Sequence, residues 1–190
     1  RFMSRDMVTD LTILAITRAN VREITATPES VADTHEGVSG VPADALRIPV
    51  SVYAIAKDLG LPYENIRRRV KKLLDAGVCV TVDGGLVVPG ATVVRQSNLD
   101  LIRETQIATE NFVAEAGRFG ITAAEHYQPP TPGLPRQVIR LAMNYFLDAT
   151  CRSAKGLDLD VVAILVLRAI NMGNITHVTH DPVLAITYGG

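Results

Sequence analysis

The chain has 190 residues, 47 % of them hydrophobic, and a formal net charge of −1. That leaves room for one compact domain or two small ones with a sizeable core, and it excludes a disordered chain. A global pull toward nucleic acid or membrane is excluded as well, so any such attraction must be local.

The opening "RFMSRDM" has neither the apolar stretch nor the cleavage site of a signal peptide, and the first residue is not Met, which points to a fragment or a processed chain. Met7 to Thr25 carries apolar residues at helical spacing (Leu11, Leu14, Ala15) and predicts a mostly buried helix. Thr27 to Pro49 is rich in Pro, Gly, Ser and Asp and predicts a long connection with at most one helical turn. Ser51 to Gly60 predicts a short helix with Ser51 as N-cap. Pro62 suits the first position of a longer helix that Gly77 ends. In "VCVTVDGGLVVPG" two β-rich runs flank Asp83, Gly84 and Gly85, a hairpin signal. Ser97 to Phe119 predicts a long amphipathic helix, "TAAEHYQPPTPGLPRQ" a connector, and Gln137 to Arg152 and Leu157 to Met172 two further helices.

The chain also echoes itself. "DLTILAITRANVREIT" from Asp10 and "DVVAILVLRAINMGNIT" from Asp160 share an Asp, an apolar run, Arg-Ala and Ile-Thr, with Arg18 matching Arg168; Pro28 and Pro182 follow the two copies. This is either an internal repeat or a coincidence between two buried helices. A real duplication implies that the chain stops where a second copy of the Arg67–Arg69 region would begin.

The segment from Val52 to Val70, "VYAIAKDLGLPYENIRRRV", is the most informative. Ile55 and Leu59 share a face, Ala56 permits a close helix crossing, and Gly60 follows where a turn tolerates left-handed backbone. Ile66, Val70, Leu73 and Leu74 form the stripe of the second helix. With that stripe inward, Arg67 and Lys71 make one outward row, and Arg68 and Lys72 the next. Between Pro62 and Gly77, five basic residues meet only Glu64 and Asp75. Arg69 sits at the stripe's edge, where its stem packs inward and its head snorkels.

Together with the hairpin, this stretch from about Pro49 to Pro89 resembles the winged helix-turn-helix of bacterial transcriptional regulators of the MarR, IclR and GntR type. The resemblance implies a mainly α fold with a small β wing and a cytoplasmic, non-enzymatic protein that binds double-stranded DNA. It divides the chain into a DNA-binding domain at 1–96 and a helical part at 97–190, serving dimerisation as a homodimer or pseudo-dimer or beginning a second repeat. The second helix would enter the major groove, placing Tyr63, Asn65, Arg67 and Arg68 at bases and phosphates, Lys71 and Lys72 at the backbone, and Gly84 at the wing tip. The alternative is a winged-helix protein-interaction module without DNA binding.

Other candidates are weaker. "HVTHD" (His177, His180, Asp181) and "DTHE" (Asp33 to Glu36) read as loops rather than metal sites. Cys79 and Cys151 lack metal spacing and read as free thiols of a reducing compartment. No nucleotide-binding or hydrolase motif stands in the chain, so neither a cofactor nor catalytic residues are expected. Val161 to Ile170 is the most apolar run; it is too short for a bilayer and holds Arg168, so no membrane partner is expected. Arg18 and Arg168 read as structural arginines that pair or cap at helix interfaces. The other reading is an anion-binding group in a small-molecule effector pocket lined by Met143, Tyr145 and Phe146. Phe112, Phe119, Tyr145 and Phe146 otherwise read as core.

Overall fold

The computed structural model describes residues 6–24, 41–120 and 135–180. These are mostly helical, with one small two-stranded antiparallel sheet. The chain separates into two compact units, one running to Leu147 and the other starting at Asp148.

In the first unit, α1 (Met7–Val21) buries Leu11, Ala15 and Ile16, and also Thr9, Asp10 and Thr12. A helix covered on so many sides needs neighbours on several of them. Those neighbours are α2 (Val52–Leu59), α3 (Tyr63–Asp75) and the second hairpin strand. Ser51 caps α2 as expected, its Oγ accepting from the Ala54 N–H at 3.1 Å. Gly60 ends α2 with φ +63°, and the Leu61 N–H returns to the Ala56 carbonyl at 3.0 Å, a left-handed stop that Gly adopts at no steric cost. Pro62 stands one residue earlier than expected: it is the N-cap of α3, with ψ 132°, and its carbonyl accepts from Asn65 and Ile66. Ile66, Val70 and Leu73 of α3 are buried against α1 and α2, which fixes the rotation of α3 about its axis.

The hairpin joins β1 (Val80–Val82) to β2 (Gly85–Val87), with Val82 opposite Gly85 and Asp83-Gly84 as the turn. Val50 exchanges both backbone hydrogen bonds with Leu86, at 3.1 and 2.9 Å, so β2 is held on both sides. Gly85 is required there: a Cβ on it would meet the Val50 carbonyl oxygen at 2.5 Å, and its φ is +145°. Asn20, fully buried late on α1, ties these pieces together. Its Nδ2 donates to the carbonyls of Ile48 (2.7 Å) and Leu86 (3.0 Å), and its Oδ1 accepts from the Val88 N–H (2.9 Å).

A single 3-10 turn (Asp44–Leu46) lies in the described part of the long connection, α4 (Gly90–Val93) follows the hairpin, and α5 spans Gln96–Arg118. Helix α6 (Pro135–Leu157) crosses from the first unit into the second, where α7 (Val161–His180) follows. Asp158 at φ +53° closes α6, and the Asp160 carboxylate caps α7 by accepting from the Ala163 N–H at 2.8 Å. The two helices fold back on each other, since Arg168 reaches Thr150 Oγ1 at 3.1 Å.

Two further expectations are corrected. The segment of His177 and His180 is not a loop: the backbone stays helical to His180, because nothing before Pro182 breaks the helix except Gly173, which costs only about 1 kcal/mol. Phe112 on α5, Phe119 just past its end and Tyr145 on α6 are not core: they are 71, 81 and 77 % exposed. Asp33 to Glu36, Asp181, Pro28, Pro182 and most of the two long connections lie outside the described residues. Among the described residues no helix is long and apolar enough to cross a membrane, and no three His, Cys, Asp or Glu side chains gather as metal ligands.

Candidate nucleic-acid interface

A groove of about 530 Å3 runs between the N-terminal end of α2, the outer face of α3 and the hairpin. Its walls carry Tyr53, Tyr63, Arg67, Lys71 and Thr81. The arrangement follows from burial. Ile55 and Leu59 point α2 inward and leave Tyr53 out, 67 % exposed; Ile66, Val70 and Leu73 do the same on α3 for Tyr63, Arg67 and Lys71.

Of the residues expected at the site, Tyr63, Arg67 and Lys71 line the groove. Asn65, Arg68, Lys72 and Gly84 do not line it. Arg68 Nη2 donates to Asn65 Oδ1 at 2.7 Å, so these two side chains engage each other. Lys72 turns toward Asp6, 3.7 Å away, just ahead of α1. Gly84 sits at the turn, where a Cβ would lie 3.6 Å from Pro49. The sequence reading missed Tyr53 and Thr81. The signal for Tyr53 is its place on the face of α2 opposite Ile55 and Leu59.

The cations of the groove are held in place by their own helix. Arg67 forms a two-pronged pair with Glu64, Nη2 to Oε1 at 2.6 Å and Nε to Oε2 at 2.9 Å. That hydrogen bond holds the Glu64 carboxyl below the usual carboxylate range and raises the Arg67 guanidinium. Lys71 reaches Asp75 at 3.4 Å. All four side chains are more than half exposed, so these are labile surface pairs that exchange readily for another anion. Arg69, by contrast, lies 28 % exposed with Nε 3.0 Å from Asp6, fastening α3 to the start of α1. Arg18 does likewise for α2 through Asp58, at 2.6 Å. Both spend their charge on packing, which leaves Arg67 and Lys71 for the groove.

The hairpin offers no cation: Asp83, Gly84 and Gly85 occupy its tip. Comparison of the chain with protein-family models, with curated proteins and with solved structures gives no match.

Proposed function

We propose that the protein is a DNA-binding transcriptional regulator that docks α3 of a winged helix-turn-helix into the major groove. The observation that carries this reading is the groove itself. A helix rotated by its own core presents Arg67 and Lys71 beside two exposed tyrosines, next to the capped end of α2 and the hairpin. Phosphates would replace Glu64 and Asp75 as partners of Arg67 and Lys71, and the Ser51-capped end of α2 would face the backbone. Tyr53 and Tyr63 would add phosphate hydrogen bonds. Contact by the hairpin would be weak, through backbone amides. A single such helix reads too little sequence for a tight operator complex, so a second copy would complete the site.

A gel-shift of the protein against the DNA upstream of its own coding sequence, at two salt concentrations, tests this. Binding should weaken steeply with salt and vanish in the Arg67→Ala, Arg68→Ala double variant. An unchanged affinity in that variant overturns the reading.

One observation favours the runner-up, a protein-interaction module. The basic row is already matched by Glu64, Asn65 and Asp75, and large apolar side chains stand exposed on α5, including Ile107 and Phe112. That module would form a complex insensitive to salt and give no DNA shift.

A further inference from the structure

A second, largely apolar cavity of about 160 Å3 lies in the first unit, away from α3. Its walls come from α1 (Leu14, Thr17), α4 (Val93), α5 (Leu101) and α6 (Met143). Protein interiors hold few voids larger than a water molecule. A hollow of this size leaves its lining side chains without contacts on one side.

The polar side chains of the walls are Thr17, Arg47, Asn98 and Arg140, and among the described residues no carboxylate lines the cavity. Arg47 is closed off from it. Its side chain is 1 % exposed, its Nε donates to Asp44 Oδ1 at 2.9 Å, and its Nη2 donates to the Pro42 carbonyl at 3.4 Å. Asn98 is closed off in the same way: its Nδ2 donates to the Thr92 carbonyl at 2.7 Å, and its Oδ1 is buried. Thr17 brings a hydroxyl, which carries no charge. The surface that remains is apolar nearly throughout, and a charged guest would shed its hydration there for apolar contact. Two arginines in the walls add repulsion for a cation.

An apolar cavity of about 150 Å3 is the size that stays dry when empty and takes up one benzene ring. We infer that this cavity is a binding site for an uncharged, ring-sized apolar molecule. Such a ring restores the contacts that the hollow withholds from Leu14, Leu101 and Met143. It breaks no hydrogen bond of Arg47 or Asn98, because those groups are engaged outside the cavity. Met143 is unbranched and polarizable, so it adapts to the edge of the guest. The cavity and the α3 groove share no lining residue, so binding here stands whether or not the protein meets DNA.

Calorimetric titration of the full chain with toluene, benzylamine and benzoate at neutral pH tests this. Toluene should bind with a Kd of roughly 0.1–1 mM. Benzylamine, which is protonated there, and benzoate should each bind at least roughly tenfold more weakly. Two wall variants locate the site. Leu14→Phe fills the chamber and should abolish toluene binding, with circular dichroism verifying the fold. Met143→Ala removes contacts from the guest and should weaken toluene several-fold. A flat toluene titration up to roughly 5 mM overturns the inference. So does benzylamine or benzoate binding as tightly as toluene, and so does an unaltered toluene affinity in Met143→Ala or in a folded Leu14→Phe variant.

Discussion

Replacing Asn20 with Ala removes three hydrogen bonds at the point where α1 meets the hairpin. The consequences differ for each partner. The Leu86 carbonyl keeps the Val50 N–H at 3.1 Å, whereas the Val88 N–H and the Ile48 carbonyl lose the partners that Asn20 supplied. Each orphaned group costs about 1–3 kcal/mol, so the expected loss for the two is roughly 2–6 kcal/mol. That is a large share of the 5–15 kcal/mol typical of a whole domain. Asn20→Asp is the sharper control, because it has the same shape but cannot donate, leaving two carbonyls facing an acceptor. Urea denaturation followed by circular dichroism should show both variants with a lowered midpoint, and amide exchange at Leu86 and Val88 should quicken. A loss under about 1 kcal/mol for Asn20→Ala would refute the view that this amide clamps the hairpin to α1.

Further outcomes follow from the same geometry. Gly60→Ala and Gly85→Ala should separate cleanly. A Cβ at Gly60 enters open space, so only the left-handed backbone is penalised, about 1 kcal/mol, while at Gly85 the Val50 carbonyl must also move, so denaturation should show the larger loss there and a loosened hairpin. Ile66→Ala, in a fully buried position, should cost about 2–5 kcal/mol by the same assay. Burial pushes the Cys79 thiol up to about 11, so at pH 8 on the order of a thousandth of it is thiolate, and a thiol reagent on the native protein should consume the partly exposed Cys151 well before Cys79. The sign of the linkage is set by the raised value. The folded state prefers the neutral thiol, so stability is fully present below the ordinary thiol range and declines as pH rises from about 9 toward about 11. A Cys79→Ala variant should lack that decline.

Much of this architecture is legible in the residues. The Ser51 cap, the Gly60 and Gly77 stops and the Asp83-Gly84 turn are local signals, and each falls where the backbone requires it. The rotation of α3 is legible too, since a stripe spaced three and four apart admits one inward face. What is hidden is whatever depends on long-range partners. Nothing around Asn20 in the sequence announces that its amide will serve Ile48, Leu86 and Val88. Spacing cannot tell that Arg69 and Lys72 turn to Asp6 while Lys71 keeps to the groove, because three neighbouring cations differ only in what packs beside them. The reach of α7 to His180 was obscured by β-branched residues, which lower helix propensity without ending a helix already propagating. Phe112 and Phe119 misled for the opposite reason: hydrophobicity says what a side chain prefers, not whether a partner is there.

Whether the α3 groove meets DNA, as proposed, is read by titrating labelled protein with a short duplex from its own upstream region while following amide chemical shifts. Changes should saturate and cluster on Tyr53, Tyr63, Arg67, Lys71 and Thr81 and should fade as salt is raised. Unchanged shifts with any duplex, or changes gathered on α5 around Phe112 instead, would contradict the proposal.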